Sequence, residues 1–172
     1  GTAARDDWRP AVSIIVAAHN EERHLAARLD NLLALDWPAD RREIIVVDDG
    51  STDATAACAG TYAAQGVRLL HQAAQQGKTA AQNAAASAAT GEVLVFADAN
   101  GLFAADALRR LVRHLADPSV GAVCGALHYR QEQAGGAGFG ERCYWRYERW
   151  LKRMESASGS LVGVNGAIYA LP

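Results

Sequence analysis

Val12-Ser13-Ile14-Ile15-Val16-Ala17-Ala18, followed at once by His19-Asn20-Glu21-Glu22, is the stretch whose reading decides the fold. Seven residues with a β-branched centre and no charge read as a strand covered on both faces. A strand with one face in water would alternate apolar and polar side chains. The abrupt change to four polar residues marks the strand's carboxyl end as a place where the chain meets solvent. The same unit recurs along the chain. Ile44–Val47 runs into Asp48-Asp49-Gly50-Ser51-Thr52-Asp53, Val67–His71 is followed by Gln76-Gly77-Lys78, and Val93–Ala97 runs into Asp98-Ala99-Asn100.

Helical patterns fill the intervals. Glu21–Leu35 places Leu25, Leu29, Leu32 and Leu33 at helical spacing, and Pro38 stops it because proline cannot continue the ladder. Ser51–Asp53 offers an N-cap for an Ala-rich helix through Ala64, closed by Gly66. Lys78–Ala89 is a third helix, and Ala104–Leu115 a fourth, with Leu108, Leu111, Val112 and Leu115 on one face. Val120–Tyr129 reads as a fifth strand, and Leu161–Leu171 carries a further strand up to Pro172. Strands alternating with helices predict an α/β fold, a Rossmann-like and mostly parallel sheet with helices on both faces.

The composition agrees. Of 172 residues, 37 are Ala, while Leu, Ile, Val and Phe together number 36, about 21%. Small residues let helices sit close on a sheet. A net charge of −2, from 17 basic and 19 acidic residues, excludes broad nucleic-acid binding by charge. No apolar run approaches a membrane span. Cys58, Cys124 and Cys143 have no CxxC spacing and read as small packing residues of a reducing compartment, not as a disulfide framework or zinc site. Residues 1–10 read as an N-terminal extension and 131–140, rich in glycine, as a flexible loop. Glu141–Ser156 is a helix with Cys143, Tyr147, Trp150, Leu151 and Met154 on one stripe and Arg142, Arg146, Arg149 and Arg153 on another. Either its arginines are solvated while it packs on the domain, or it faces a membrane surface or a partner domain. The start at Gly1-Thr2, with Met154 the only methionine, reads as an excerpt of a longer protein.

In parallel α/β sheets ligands collect beyond the carboxyl ends of the strands. Polar and acidic residues crowd that edge here, which is what a polar ligand needs. Taken singly, each has a plain alternative: Asp48 and Asp49 could cap a helix, and Asp98-Ala99-Asn100 could be a turn. Several known sites are excluded. Gln72 stands where a Walker loop needs its first Gly, AAHNEE is not the GxGxxG of a dinucleotide site, and no GxSxG elbow occurs. A phospho-acceptor receiver carries its acidic pair after strand one, and here the pair follows strand two. A nucleotidyltransferase would need a Gly-rich loop after strand one, which AAHNEE does not offer.

Jointly, VSIIVAAHNEE, IIVVDDGSTD, QGKTAAQN and GEVLVFADAN, in this order and at these strand ends, resemble the family 2 glycosyltransferases of the GT-A fold. The resemblance covers residues 10–172 and extends to VGVNGAIYAL, which looks like the family's acceptor-side strand. YWRYERWLKRMES resembles membrane-associated polysaccharide synthases. The implied activity is inverting transfer from a nucleotide sugar, a UDP-sugar in the first instance, to a growing polysaccharide or a lipid. The implied location is a cytoplasmic domain of a protein held at the inner or plasma membrane.

By the same resemblance Asp49 reads the base through its ring N–H. Asp48 is structural, and Ala17, Asn20 and Glu21 wrap the nucleoside. Gly77 and Lys78 close over base and phosphates. Asp98-Ala99-Asn100 occupies the place of a DxD motif, so Asp98 faces ribose and metal and Asn100 stands where the last carboxylate ligates Mg²⁺ or Mn²⁺. Asn100 offers a neutral carbonyl, which lowers the expected metal affinity. Asn165 and Gly166 are expected beside the donor sugar or acceptor. The general base of the family lies far enough beyond the DxD position to fall past Pro172. The domain is therefore expected to be incomplete at its C-terminal side and to bind donor without transferring it. A degenerate nucleotide-sugar-binding or scaffold module is the alternative, supported by Asn100 and by the absent base.

Overall fold

The computed structural model describes residues 4–125 and 168–172. The elements run in the order β1 (Val12–Ala18), α1 (Leu25–Leu33), β2 (Arg42–Asp49), α2 (Thr55–Gly60), β3 (Val67–Gln72), α3 (Lys78–Ala88), β4 (Val93–Asp98), α4 (Ala107–Leu115), β5 (Val123–Cys124) and β6 (Ile168–Leu171). One six-stranded sheet has the order β3-β2-β1-β4-β6-β5. β1 pairs in parallel with β2 and β4, and β2 in parallel with β3. β6 lies antiparallel between β4 and β5. The sheet is thus mostly parallel, as the sequence predicts. The last strand, whose run ends at Pro172, is not an edge, because it has a neighbour on each side.

The unbroken apolar runs follow from burial on both faces. Ile14, Val16, Val46 and Val95 point into a cluster with Leu25, Leu29 and Leu32 of α1 and Leu108, Leu111 and Val112 of α4. Their sequence neighbours Ile15, Ile45, Val47 and Phe96 point the other way, onto Ala81 and Ala85 of α3. The period of two along each strand therefore sorts side chains between two cores. Ala is the residue that α3 places against the sheet, which accounts for much of the alanine in that helix.

Several boundaries differ from the periodicity. α1 begins at Leu25, not Glu21, because residues 20–22 are bonded to the loop after β2 and the Glu21 carbonyl accepts the N–H groups of His24 and Leu25, each at 3.0 Å. α4 likewise begins at Ala107 rather than Ala104. α2 covers only Thr55–Gly60, and a separate 3-10 turn spans Ala63–Gln65 before Gly66 at φ 86°. The Thr61 hydroxyl donates to the Cys58 carbonyl at 2.7 Å and so competes with the ladder there. β5 is two residues long because Val120 is still held in a turn, its N–H on the Asp117 carbonyl at 2.9 Å. Tyr129, the 131–140 loop, the Glu141–Ser156 helix and residues 161–167 lie outside the described residues.

At the amino ends of the strands, Glu43 ties β1, β3 and the loop after α3 together. It accepts hydrogen bonds from the Ser13 hydroxyl at 2.5 Å, the Thr90 N–H at 2.6 Å and Arg68 at 2.7 Å. Burial opposes its ionisation, but these donors outweigh burial and hold its pKa at about 2, below the ordinary 4.5.

Two outcomes are expected. Ala81→Leu overfills the seam between α3 and the sheet and lowers stability by about 1–3 kcal/mol in thermal or denaturant unfolding. Glu43 contributes stability above about pH 4.5 that is lost as pH falls towards about 2. Denaturant titrations across that window should therefore show a steeper acid loss in wild type than in Glu43→Gln.

Candidate functional site

The strand order reverses direction at β1, and the carboxyl ends of β1, β2 and β4 meet there. Ala17 is in register with Val47 on one side and Asp98 on the other. Asp48 and Asp49 close β2, and Asp98 closes β4. The acidic residues singled out in the sequence are thus brought to one edge by neighbouring strands.

Asp48 and Asp49 do different things. Asp48 is fully buried, accepts the Ser51 N–H at 3.2 Å and faces the His71 Nδ1 at 2.7 Å. It holds the turn after β2 and the end of β3, in keeping with a structural role. Asp49 is nearly buried and takes the Gln76 N–H on one oxygen at 2.7 Å and the Gly77 N–H on the other at 2.9 Å. Its carboxylate therefore fixes the backbone immediately before α3.

Gly50 permits that closure. It sits at φ 66°, and a Cβ there would lie 2.5 Å from the Gln75 nitrogen and 2.6 Å from the Ala74 carbonyl carbon. Gly77, at φ 93°, starts α3 with no side-chain cap. The amide groups of the first turn are accordingly left for an acceptor from outside the helix. Lys78, the first residue of α3, donates from Nζ to an Asp98 carboxylate oxygen at 2.5 Å. Asp98 is one-third exposed and Asn100 is exposed.

Asn20 and Glu21, expected to wrap a nucleoside, are engaged within the protein. Asn20 adopts φ 54°, donates its N–H to the Ser51 hydroxyl at 2.9 Å and accepts the Thr52 N–H at 2.9 Å. The Asp49 carbonyl can only accept, so His19 Nδ1 donates to it at 2.7 Å. His19 Nε2 then accepts from the Asn20 amide at 3.2 Å. Glu21 gives its N–H to Thr55 at 2.8 Å and its carboxylate to His24 at 3.0 Å. These bonds stitch the loop after β1 to the loop after β2. Asn165 and Gly166 lie outside the described residues.

Two features escaped the sequence reading. Tyr169 of β6 stacks on Phe96 with centroids 4.7 Å apart, and burial, then the charge of Asp98, raises its pKa. Arg28 lies buried on the apolar stripe of α1. A cation at i+3 from Leu25 and i−4 from Leu32 was the available signal.

A model of the family described as Glycosyl transferase family 2 matches residues 13–167. The chain belongs to glycosyl transferase family 2. A relative, the beta-monoglucosyldiacylglycerol synthase of Synechocystis sp., is 36% identical over 118 residues, 66% of this chain and 25% of that protein. The dolichyl-phosphate beta-glucosyltransferase of Drosophila melanogaster is 40% identical over 100 residues, 52% of this chain and 31% of that protein. Among solved structures, a mannosyltransferase from Pyrobaculum calidifontis in complex with GDP-Man and Mn²⁺ superposes with a TM-score of 0.81 at 32% identity. It covers 98% of this chain and 46% of its own. The chain thus has the GT-A fold of family 2 and spans about a quarter to a third of those two curated relatives.

The donor set for a metal is small. Among the described residues no group of three or more His, Cys, Asp or Glu could hold one. Asp98 and Asn100 carry oxygen donors of the kind Mg²⁺ and Mn²⁺ take, the first an anionic carboxylate and the second a neutral carbonyl.

Gly50→Ala is expected to displace the 74–77 segment and to cost about 1–3 kcal/mol. Hydrogen exchange at Gln76 and Gly77 should accelerate more than the global loss of stability explains.

Proposed function

We propose that this chain is the donor-binding portion of an inverting glycosyltransferase that takes a sugar from a nucleotide sugar. The observation that carries the reading is the line Asp49–Gly77–Lys78–Asp98. A carboxylate fixes the start of a helix, the helix leaves its amide groups open, and its first side chain meets the carboxylate at the end of β4. A diphosphate lying there would accept from the first turn of α3 and draw Lys78 from Asp98. Asp98 would then be free to face ribose and metal. Asp49, with two lone pairs on each oxygen, can accept a ring N–H of the base while keeping Gln76 and Gly77. Uracil N3 and guanine N1 both present such a donor. UDP and GDP are therefore both candidates, and the structural relative bound to GDP-Man supports weighing the second.

A divalent metal held by Asp98 and Asn100 together with the diphosphate would stabilise the leaving group. The carboxylates downstream of Asp98 that the structure describes are engaged elsewhere. Asp106 pairs with Arg110 at 2.7 Å, and Asp117 holds the Ser119 N–H at 3.0 Å. Among the described residues no carboxylate downstream of Asp98 is placed as a general base, and the reading we propose for this chain is donor binding without one. Glu132, Glu141, Glu148 and Glu155 lie outside the described residues. The acceptor we favour is a lipid or a growing glycan, in keeping with relatives named for diacylglycerol and dolichyl phosphate. Association of the whole protein with a membrane belongs to the same proposal. Among the described residues no helix is long and apolar enough to cross one. Asn100 in place of a carboxylate favours a second reading, a nucleotide-sugar-binding module without catalysis.

Calorimetry with UDP and with GDP, each with Mn²⁺, is expected to show binding in the micromolar to millimolar range, and Asp49→Ala to weaken it about tenfold or more. No binding of either nucleotide to folded protein overturns the donor site, and unchanged binding by Asp49→Ala removes Asp49 from its role. Sugar transfer by this chain would overturn the assignment of binding without a base. An acceptor-dependent turnover by the longer protein distinguishes the enzyme from the binding module.

A further inference from the structure

Asn31 stands in the last turn of α1, where Ala or Leu would serve the helix better. Its side chain is engaged with a distant segment. Oδ1 accepts the Phe103 N–H at 2.8 Å, and Nδ2 donates to the Phe103 carbonyl at 2.9 Å. One amide thus satisfies both backbone groups of a residue that lies in neither helix nor strand and has no ladder to join. The pairing is held in one orientation. Arg28 donates from Nη1 to the same Oδ1 at 3.2 Å, so the atom with two donors is the oxygen and not the nitrogen. Arg28 also packs on the anchored residue, its guanidinium carbon 3.7 Å from the centroid of the Phe103 ring. It is 1% exposed, and its Nε and Nη2 have no hydrogen-bond partner, a cost that Leu or Met would avoid. Beyond α1, the Asp36 N–H donates to the Ala105 carbonyl at 2.8 Å and holds the same segment further on.

That segment carries Asn100. Asp98, at its start, is fixed by β4, in register with Ala17 of β1. Phe103, at its end, is fixed by Asn31. Asn100 lies between the two anchors, exposed and in a turn. The sheet sets the backbone of Asp98 with or without Asn31, whereas the place of Asn100 relative to Asp98 depends on the second anchor as well. We propose that Asn31 is a positioning residue of the donor site, anchoring Phe103 so that Asn100 stays within reach of the ion and diphosphate that Asp98 meets. This rests on the nucleotide-sugar reading above and adds to it a residue that acts only through the 99–103 backbone. A neutral carbonyl is a weak ligand for a hard cation, so its contribution depends on how well its support holds it. Arg28 belongs to the same support through Asn31 and the Phe103 ring.

Calorimetric titration of GDP and UDP into this chain, in EDTA and in saturating Mn²⁺, tests the proposal on wild type, N31D, N100A and the double variant. Thermal unfolding and hydrogen exchange at the Phe103 amide are followed in parallel. N31D keeps the acceptor for Phe103 and Arg28 and loses only the donor to the Phe103 carbonyl. It is expected to bind nucleotide within about twofold of wild type in EDTA and to lose about three- to tenfold of the gain in affinity that Mn²⁺ brings. In the N100A background the same change should alter that gain by less than about twofold, because the two residues act on one contact. N31A removes all three bonds and carries the same expectation should N31D fail to fold. An unchanged Mn²⁺ gain in a folded Asn31 variant overturns the proposal. Equal losses in EDTA and in Mn²⁺, or a loss that persists undiminished in N100A, overturn it too, since general loosening of the fold would produce either. If Mn²⁺ brings wild type no gain, this inference fails while nucleotide binding stands. If wild type binds neither nucleotide, the donor reading fails first and this inference with it.

Discussion

The two backbone N–H groups held by Asp49 are the contact on which the rest of the site depends. Gln76 and Gly77 give their N–H groups to separate oxygens of one nearly buried carboxylate. Such charge-assisted bonds are short and directional, and in a place shielded from water they set the path of the chain. Here they set where α3 begins. The start of α3 in turn sets where Lys78 stands and whether it reaches Asp98 at the end of β4. Gly50 is the steric condition for the same arrangement, because only a residue without a Cβ lets Ala74 and Gln75 pass so close.

The sheet gives this contact something rigid to act against. Parallel pairing puts β2, β1 and β4 side by side with their carboxyl ends level, so residues far apart in sequence arrive at one edge. Two cores of different character support it. The face carrying α1 and α4 is filled by Leu, Ile and Val, whereas α3 lies on alanines and so sits close to the strands. The loops after β1 and β2 are bonded to each other by Asn20, Ser51, Thr52 and Thr55, and the floor of the site is thereby held from both sides.

Much of this was legible in the residues. The apolar runs revealed their strands because a strand buried on both faces cannot alternate. The polar tetrads after them located the edge, and the joint order of four motifs pointed to glycosyl transferase family 2, to which the chain belongs. Element starts were less legible. Glu21 looks like the first residue of a helix and Ser51–Asp53 like an N-cap, yet Glu21 gives its N–H to Thr55 and Thr52 gives its N–H to Asn20, partners invisible to local periodicity. The Asn20 side chain meets Thr52 and His19, and its contact with Thr52 joins loops that lie far apart in sequence. Thr61 ended α2 through a side chain that propensity alone does not place.

Sequence by itself determined the class of the fold, the strands, the alanine-faced helix and the set of acidic residues at one edge. All of these follow from the period of hydrophobicity and from the chemistry of short motifs. Only the tertiary structure decided how those residues divide their work. Asp48 turns inward to His71 and Ser51, Asp49 secures the start of α3, Asp98 meets Lys78, and β6 slots between β4 and β5. It also placed a buried guanidinium of α1 over the ring of Phe103. The reason is physical: hydrogen bonds and charges act over a few ångströms of space, and positions 49, 77, 78 and 98 become neighbours only after the sheet has closed.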